Sequence, residues 1–166
     1  VTHAHLDHIA FIPFLVDTVG CQRSQPLVVH ALPETLDSLQ QYIFNWHIWP
    51  DFTKIPDATH PYMRLEPFSI GTAIELDSRR ITPLPTNHTV PSVGFQLDSG
   101  QASLAFTGDT TTHDPFWEAI NQINNLRYLI IECAFSNAKQ DIAMRSKHLC
   151  PALLAEELKK DLEKIS

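Results

Sequence analysis

Apolar positions recur at helical spacing through Ile9, Ile12, Leu15, Val16 and Val19. This pattern predicts a helix that starts at His8, is capped by Asp7 and stops at Gly20. Pro13 falls inside it and predicts a kink or a place in the first turns. The run Leu27-Val28-Val29, within residues 26–31, predicts a short buried strand. Pro33 suits the first position of a helix reaching about Asn45, with Leu36, Leu39, Tyr42 and Ile43 on its inner face. Residues 45–62 break the pattern, because Pro50, Pro56 and Pro61 forbid regular structure. Period-two patterns then predict strands over residues 63–68, 73–77, 81–85, 93–97 and 102–106, the last two joined by the turn Asp98-Ser99-Gly100-Gln101. Asp114 is expected to cap a helix begun by Pro115 that carries Phe116, Ile120 and Ile123. Residues 128–131 predict a buried strand. Pro151 predicts the start of a last amphipathic helix, with Leu153, Leu154, Leu158, Leu162 and Ile165 inward. Strands interleaved with helices define an α/β class.

Composition narrows the functions open to such a fold. A chain of 166 residues with 43% hydrophobic content supports a real core and one domain. Cys21, Cys133 and Cys150 are too few and too scattered for a disulfide framework, and Cys133, in an apolar run, is expected in the core. No apolar run reaches membrane-spanning length. The net charge of −7, with no basic stretch, argues against a long nucleic acid as partner. A small anion stays compatible if bound metal supplies positive charge.

The chemistry is concentrated at the start. His3, His5, Asp7 and His8 place four potential metal ligands within six positions. In extended backbone His3 and His5 project to the same side and suit one ion. Asp7 and His8, where the chain must turn, suit a second. His88 and Asp109 follow the strands expected over 81–85 and 102–106, where open α/β sheets place their chemistry. Gly108 permits a sharp turn beside Asp109. Trp46, His47, Trp49 and Phe52 form an aromatic stretch read in two ways, as a loop folded over the core or as a pocket wall on which a base stacks. His30 is expected to be structural, His60 lies in the aromatic loop, and His113 follows Asp109 closely enough to support a ligand.

The pattern H-x-H-x-D-H resembles the hallmark of the metallo-β-lactamase superfamily. His3-Ala4-His5-Leu6-Asp7-His8-Ile9 is most similar to the class II cyclic-nucleotide phosphodiesterases, which carry H-x-H-L-D-H followed by an aliphatic residue. That family usually has glycine three positions after the last histidine, where this chain has Phe11. The resemblance implies an αββα sandwich, and residues 1–166 as one partial domain lacking the first strands and the C-terminal end. It implies two divalent ions, zinc first and manganese or iron as alternatives. His3, His5 and His88 would hold one ion. Asp7, His8 and a histidine beyond Ser166 would hold the other, with Asp109 shared.

Ile131-Glu132-Cys133-Ala134-Phe135, followed by His148, resembles elements that phosphodiesterases of this superfamily share with tRNA-maturing nucleases. There the glutamate orients a histidine that faces the scissile phosphate. Glu132 and His148 are therefore read as an orienting pair and general acid, with His148 as a metal ligand the alternative. Asp7, Glu132 and His148 form the expected catalytic set. The implied function is hydrolysis of a 3′,5′-cyclic nucleotide such as cyclic AMP by a metal-activated hydroxide. The alternatives are a tRNA 3′ processing nuclease, a lactone or thioester hydrolase, and a non-catalytic binding module. A cytoplasmic protein, with a homodimer open, completes the expectation.

Overall fold

The computed structural model describes the backbone of residues 1–165 and the side chains as far as Lys160. The inward placement expected of Leu162 and Ile165 lies outside the described residues. The chain forms two compact units, Val1–Phe68 and Ser69–Ser166.

In the first unit the histidine-rich segment is extended and enters two short helices, α1 (Leu6–Ile9) and α2 (Phe11–Val19). The helix expected from His8 thus starts two residues earlier and is broken at Ala10. Asp7 is not its cap: His5 holds that position, without a side-chain bond, and Asp7 lies within the first turn. Pro13 explains the break, since it has no amide to bond the Ile9 carbonyl. It is buried in the first turn of α2, and Gly20 follows the helix. Leu15, expected inward, is exposed. Strand β1 (Leu27–Ala31) pairs in parallel with β2 (Met63–Pro67). Between them α3 (Pro33–Ser38) runs into a π-helical turn over Leu39–Ile43. The widened turn rotates Tyr42 outward, while Leu36 and Leu39 stay buried. Ile9, Val16, Val29, Leu36, Phe44, Phe52 and Met63 form one core.

In the second unit β3 (Ile74–Leu76), β4 (Arg79–Pro85), β5 (Val93–Asp98), β6 (Ser103–Phe106) and β7 (Leu126–Ile130) form one sheet in that order. All pairs are antiparallel except β6–β7. It follows that β4, β6 and β7 point the same way, and their carboxyl ends share one edge of the sheet. Helix α4 (Asp114–Asn121) packs on β4, with Phe116, Trp117 and Ile120 in a core with Leu84 and Ala105. His113, not Asp114, is the residue that caps it. Helix α5 (Gln140–Ser146), which no periodicity announced, precedes α6 (Pro151–Ile165). Leu158, expected inward, is exposed, whereas Glu157 is buried.

Two further expectations are corrected. The strand expected to be buried over 128–131 is the edge strand β7, with Tyr128 67% exposed. Apolar character on both faces does not bury a strand that is covered on one. Cys133 is exposed and Cys150 is the buried cysteine, because the chain leaves the sheet after Ile130. Desolvation by the surrounding atoms, with Cys150 and Glu132 nearby, still holds the Cys133 thiol above its ordinary value.

Gly94 sets the sheet's tightest approach. A Cβ there would meet the Phe106 carbonyl oxygen at 2.5 Å and that of Thr107 at 2.9 Å. Both are backbone atoms at the root of the loop that carries Asp109, so neither can swing away. Gly94→Ala is expected to destabilise the fold by roughly 1–3 kcal/mol. Chemical denaturation measures this, and an unchanged midpoint would mean that the β5–β6 end has slack.

Candidate metal centre and acid pair

The extended backbone of residues 1–5 brings His3 and His5 together, as period two demands. His3 Nε2 and His5 Nδ1 lie 3.0 Å apart, and His3 is fully buried. The Thr2 hydroxyl sits 3.1 Å from His3 Nδ1 and 3.2 Å from His8 Nδ1. One hydroxyl thus steers two imidazoles, and sequence reasoning missed it. Asp7 is largely exposed, 3.6 Å from His8 Nε2.

In the second unit the site grows from the shared edge of the sheet. His88 follows β4, Asp109 follows β6 and Glu132 follows β7. Gly108 turns the chain before Asp109 at φ 59°, a conformation that favours glycine. His88 Nδ1 donates to the Lys147 carbonyl at 3.2 Å. Its Nε2 then carries the lone pair, and it lies 3.9 Å from Asp109 Oδ2. That is too long for a hydrogen bond. Two donors each about 2.1 Å from one zinc ion can lie up to about 4.2 Å apart, so the spacing fits ligands of a common ion.

Ligand atoms of Asp109, Glu132 and His148 also lie within 4.8 Å of one another. The carboxylate of Glu132 is already committed, however. Its Oε1 accepts from the Thr110 amide and from His148 Nδ1, both at 2.8 Å. Its Oε2 accepts from the amides of Ala134 at 3.1 Å and Leu149 at 3.2 Å. A carboxylate with four donors orients its neighbours and has little capacity left for a metal. It holds His148 with Nδ1–H towards Glu132 and Nε2 on the far side of the ring. The ring is further flanked by His88 at 4.9 Å and Phe135 at 5.6 Å between centroids.

A second carboxylate, Glu157, anchors the opposite end of the Asp109 loop. Its Oε2 accepts from Trp117 Nε1 at 2.8 Å and from the His113 amide at 3.1 Å. Burial raises its pKa, but Lys160 and these two donors outweigh that and leave it below the usual carboxylate range. Burial likewise holds His113 below its ordinary value, against the pull of Asp114 and Glu157. An acidic residue on an amphipathic helix carries no sign of this role in sequence.

The remaining candidates disperse. Phe52 is 5% exposed, packed between Phe44 and Tyr62, and leaves no face for a base. Trp49 is half-buried against Phe14, and its Nε1 is buried without a hydrogen-bond partner among the described residues. Trp46 is 57% exposed, and His47 beside it is exposed too. Asn45 Oδ1 accepts the amides of His47 and Ile48 and so holds this turn, while Trp46 sits at φ 68°. A bulky residue there carries backbone strain on the order of 1–3 kcal/mol. His30 faces Glu66 at 3.9 Å across the β1–β2 pair, and His60 joins an exposed turn with Asp57.

The chain is similar to known proteins over nearly its whole length. A protein of Yersinia pestis described as a probable 3′,5′-cyclic-nucleotide phosphodiesterase is 29% identical over 176 residues, covering 96% of this chain and 49% of that protein. A nuclear ribonuclease Z of Triticum aestivum is 31% identical over 105 residues, covering 63% of this chain and 56% of the other. The crystal structure of unliganded yeast PDE1 matches with a TM-score of 0.79 at 20% identity, over 96% of this chain and 50% of that one. The chain spans about half the length of the curated cyclic-nucleotide phosphodiesterases it matches. Because residues 1–162 match the beta-lactamase superfamily domain, and the histidine motif, His88 and Asp109 lie within them, the chain belongs to that family, with the metallo-β-lactamase fold.

Proposed function

We propose that the whole protein is a dinuclear metal-dependent phosphodiesterase that opens 3′,5′-cyclic nucleotides to 5′-monophosphates. The observation that carries this reading is the Glu132–His148 pair beside Asp109. An imidazole whose Nδ1–H is held by a carboxylate takes up a second proton on Nε2 and can give it away, and breaking a phosphodiester releases an alkoxide that needs a proton. The names of the phosphodiesterase relatives support a small anionic substrate, and the net charge of −7, with no basic stretch, argues against a long nucleic acid.

On the family pattern His3, His5 and His88 would hold one ion, Asp7 and His8 would contribute to the other, and Asp109 would serve both. The donor set of imidazole and carboxylate suits zinc, with manganese or iron as alternatives. The ions, when bound, lower the pKa of a water towards about 7 and offset charge on the phosphoryl oxygens. Thr2 orients His3 and His8 for this task. With its ring charged, His148 gives the Nε2 proton to the departing 3′ oxygen and returns to the neutral Nδ1–H form, while Glu132 stabilises the imidazolium. Of the aromatic stretch, Trp46, at a strained backbone position, and His47 beside it keep exposed rings on which a base can stack.

The test uses the whole protein loaded with zinc or manganese. Cyclic AMP is expected to disappear with 5′-AMP as the product, and a chelator is expected to stop the reaction. The ribonuclease Z relatives make a precursor tRNA the proper competitor substrate. Cleavage of that RNA without turnover of cyclic AMP would overturn the proposal in favour of a nuclease.

A further inference from the structure

Lys147 stands where the backbone alone favours glycine. It closes α5 in the left-handed conformation, φ 55° and ψ 52°. Its amide bonds the Met144 carbonyl at 3.3 Å, and the His148 amide bonds that of Ala143 at 2.8 Å. These paired bonds are the Schellman closure of a helix, whose left-handed position is usually glycine. A side chain that strains its own backbone points to a task elsewhere.

The task is visible 59 residues away in sequence. Lys147 Nζ donates to the His88 carbonyl at 3.0 Å, and the Lys147 carbonyl accepts from His88 Nδ1 at 3.2 Å. The two residues hold each other in both directions, side chain to backbone each way. The next residue, His148, carries the bond to Glu132. One residue therefore ties the strand-end loop of a candidate metal ligand to the turn that aims the candidate acid.

We propose that Lys147 is a positioning residue, whose reciprocal link with His88 fixes that ring with its proton on Nδ1 and Nε2 presented for metal. The inference deepens the metallohydrolase reading and rests on it for its metal arm alone. The ammonium holds the His88 backbone in place, which keeps the ring under the Lys147 carbonyl. A ring able to turn would offer either nitrogen and would have to be ordered when metal binds.

The test substitutes Lys147→Gly, which relieves the left-handed backbone and keeps the carbonyl while removing the side chain with its ammonium. Lys147→Arg is the rescue, since it restores a cationic donor. The first readout is metal-free: nitrogen-15 NMR of the imidazole rings in the whole protein, with His88 assigned by loss of its signals in His88→Gln. The wild type and Lys147→Arg are expected to show neutral His88 protonated on Nδ1, and Lys147→Gly a mixture of tautomers. The second readout is zinc affinity by chelator competition. Lys147→Gly is expected to lose about tenfold, the lower end for outer-shell partners of metal ligands. Wild-type His88 protonated on Nε2, or a Lys147→Gly variant with an unchanged spectrum, would overturn the proposal. If the wild type bound no zinc, the metallohydrolase reading would fall, while the NMR arm would still decide the role of Lys147.

Discussion

Asp109→Ala is expected to leave the fold intact and cost the whole protein at least one of two bound ions. Asp109 is partly exposed in a loop of its own, so its removal opens no core cavity. The carboxylates of Glu132 and Glu157 are spent on amides, an imidazole, an indole and an ammonium. Asp109 Oδ2 lies 3.9 Å from His88 Nε2, a spacing that fits two ligands of one ion. Among the family ligands it alone is assigned to both ions, so its loss weakens both sites. Turnover is expected to fall well beyond the roughly 10–100-fold that attaches to outer-shell partners. Elemental analysis of the purified variant, beside a thermal melt, checks both halves. Two ions retained in Asp109→Ala would refute the shared role, and a collapsed melt would show a structural one.

Parts of this arrangement are legible in the amino-acid sequence alone. His3 and His5 can be paired because extended backbone has period two, whatever surrounds it. His88 and Asp109 can be selected because each single polar ligand follows a strand. The direction of those strands decides whether the ends meet, and the pairing of β4, β5, β6 and β7 puts three of them on one edge. What stays hidden depends on geometry that composition does not encode. Thr2 matters because one hydroxyl reaches two rings. Lys147 matters because its backbone is left-handed and its partner lies far off in sequence. Glu157 reads as solvent-facing, yet its neighbours supply the donors that let a carboxylate be buried. Tyr128 and Ile130 mislead in the opposite sense. Their apolar character says what a strand prefers to meet, and only packing says whether anything meets it.

His148→Ala is expected to leave the metals bound and to separate substrates by their leaving groups. The two imidazoles are braced differently. His148 Nδ1 is held by Glu132 at 2.8 Å, while His88 Nδ1 is held by a backbone carbonyl. An imidazole braced by a carboxylate is suited to carry a proton, and one braced by a neutral carbonyl is suited to ligate. If His148 protonates the departing oxygen, its loss should reduce turnover of cyclic AMP by roughly 10²–10⁴. The 3′ alkoxide is a poor leaving group and depends on that proton. A nitrophenolate leaves without one, so turnover of bis-(p-nitrophenyl) phosphate should suffer far less. Glu132→Gln should show the same bias more weakly, because an amide oxygen can still accept from Nδ1 but carries no charge to stabilise the ring. Metal content, measured on each variant, completes the comparison. Equal losses on the two substrates, together with a missing ion in His148→Ala, would mean that His148 is a ligand and that the proton comes from elsewhere.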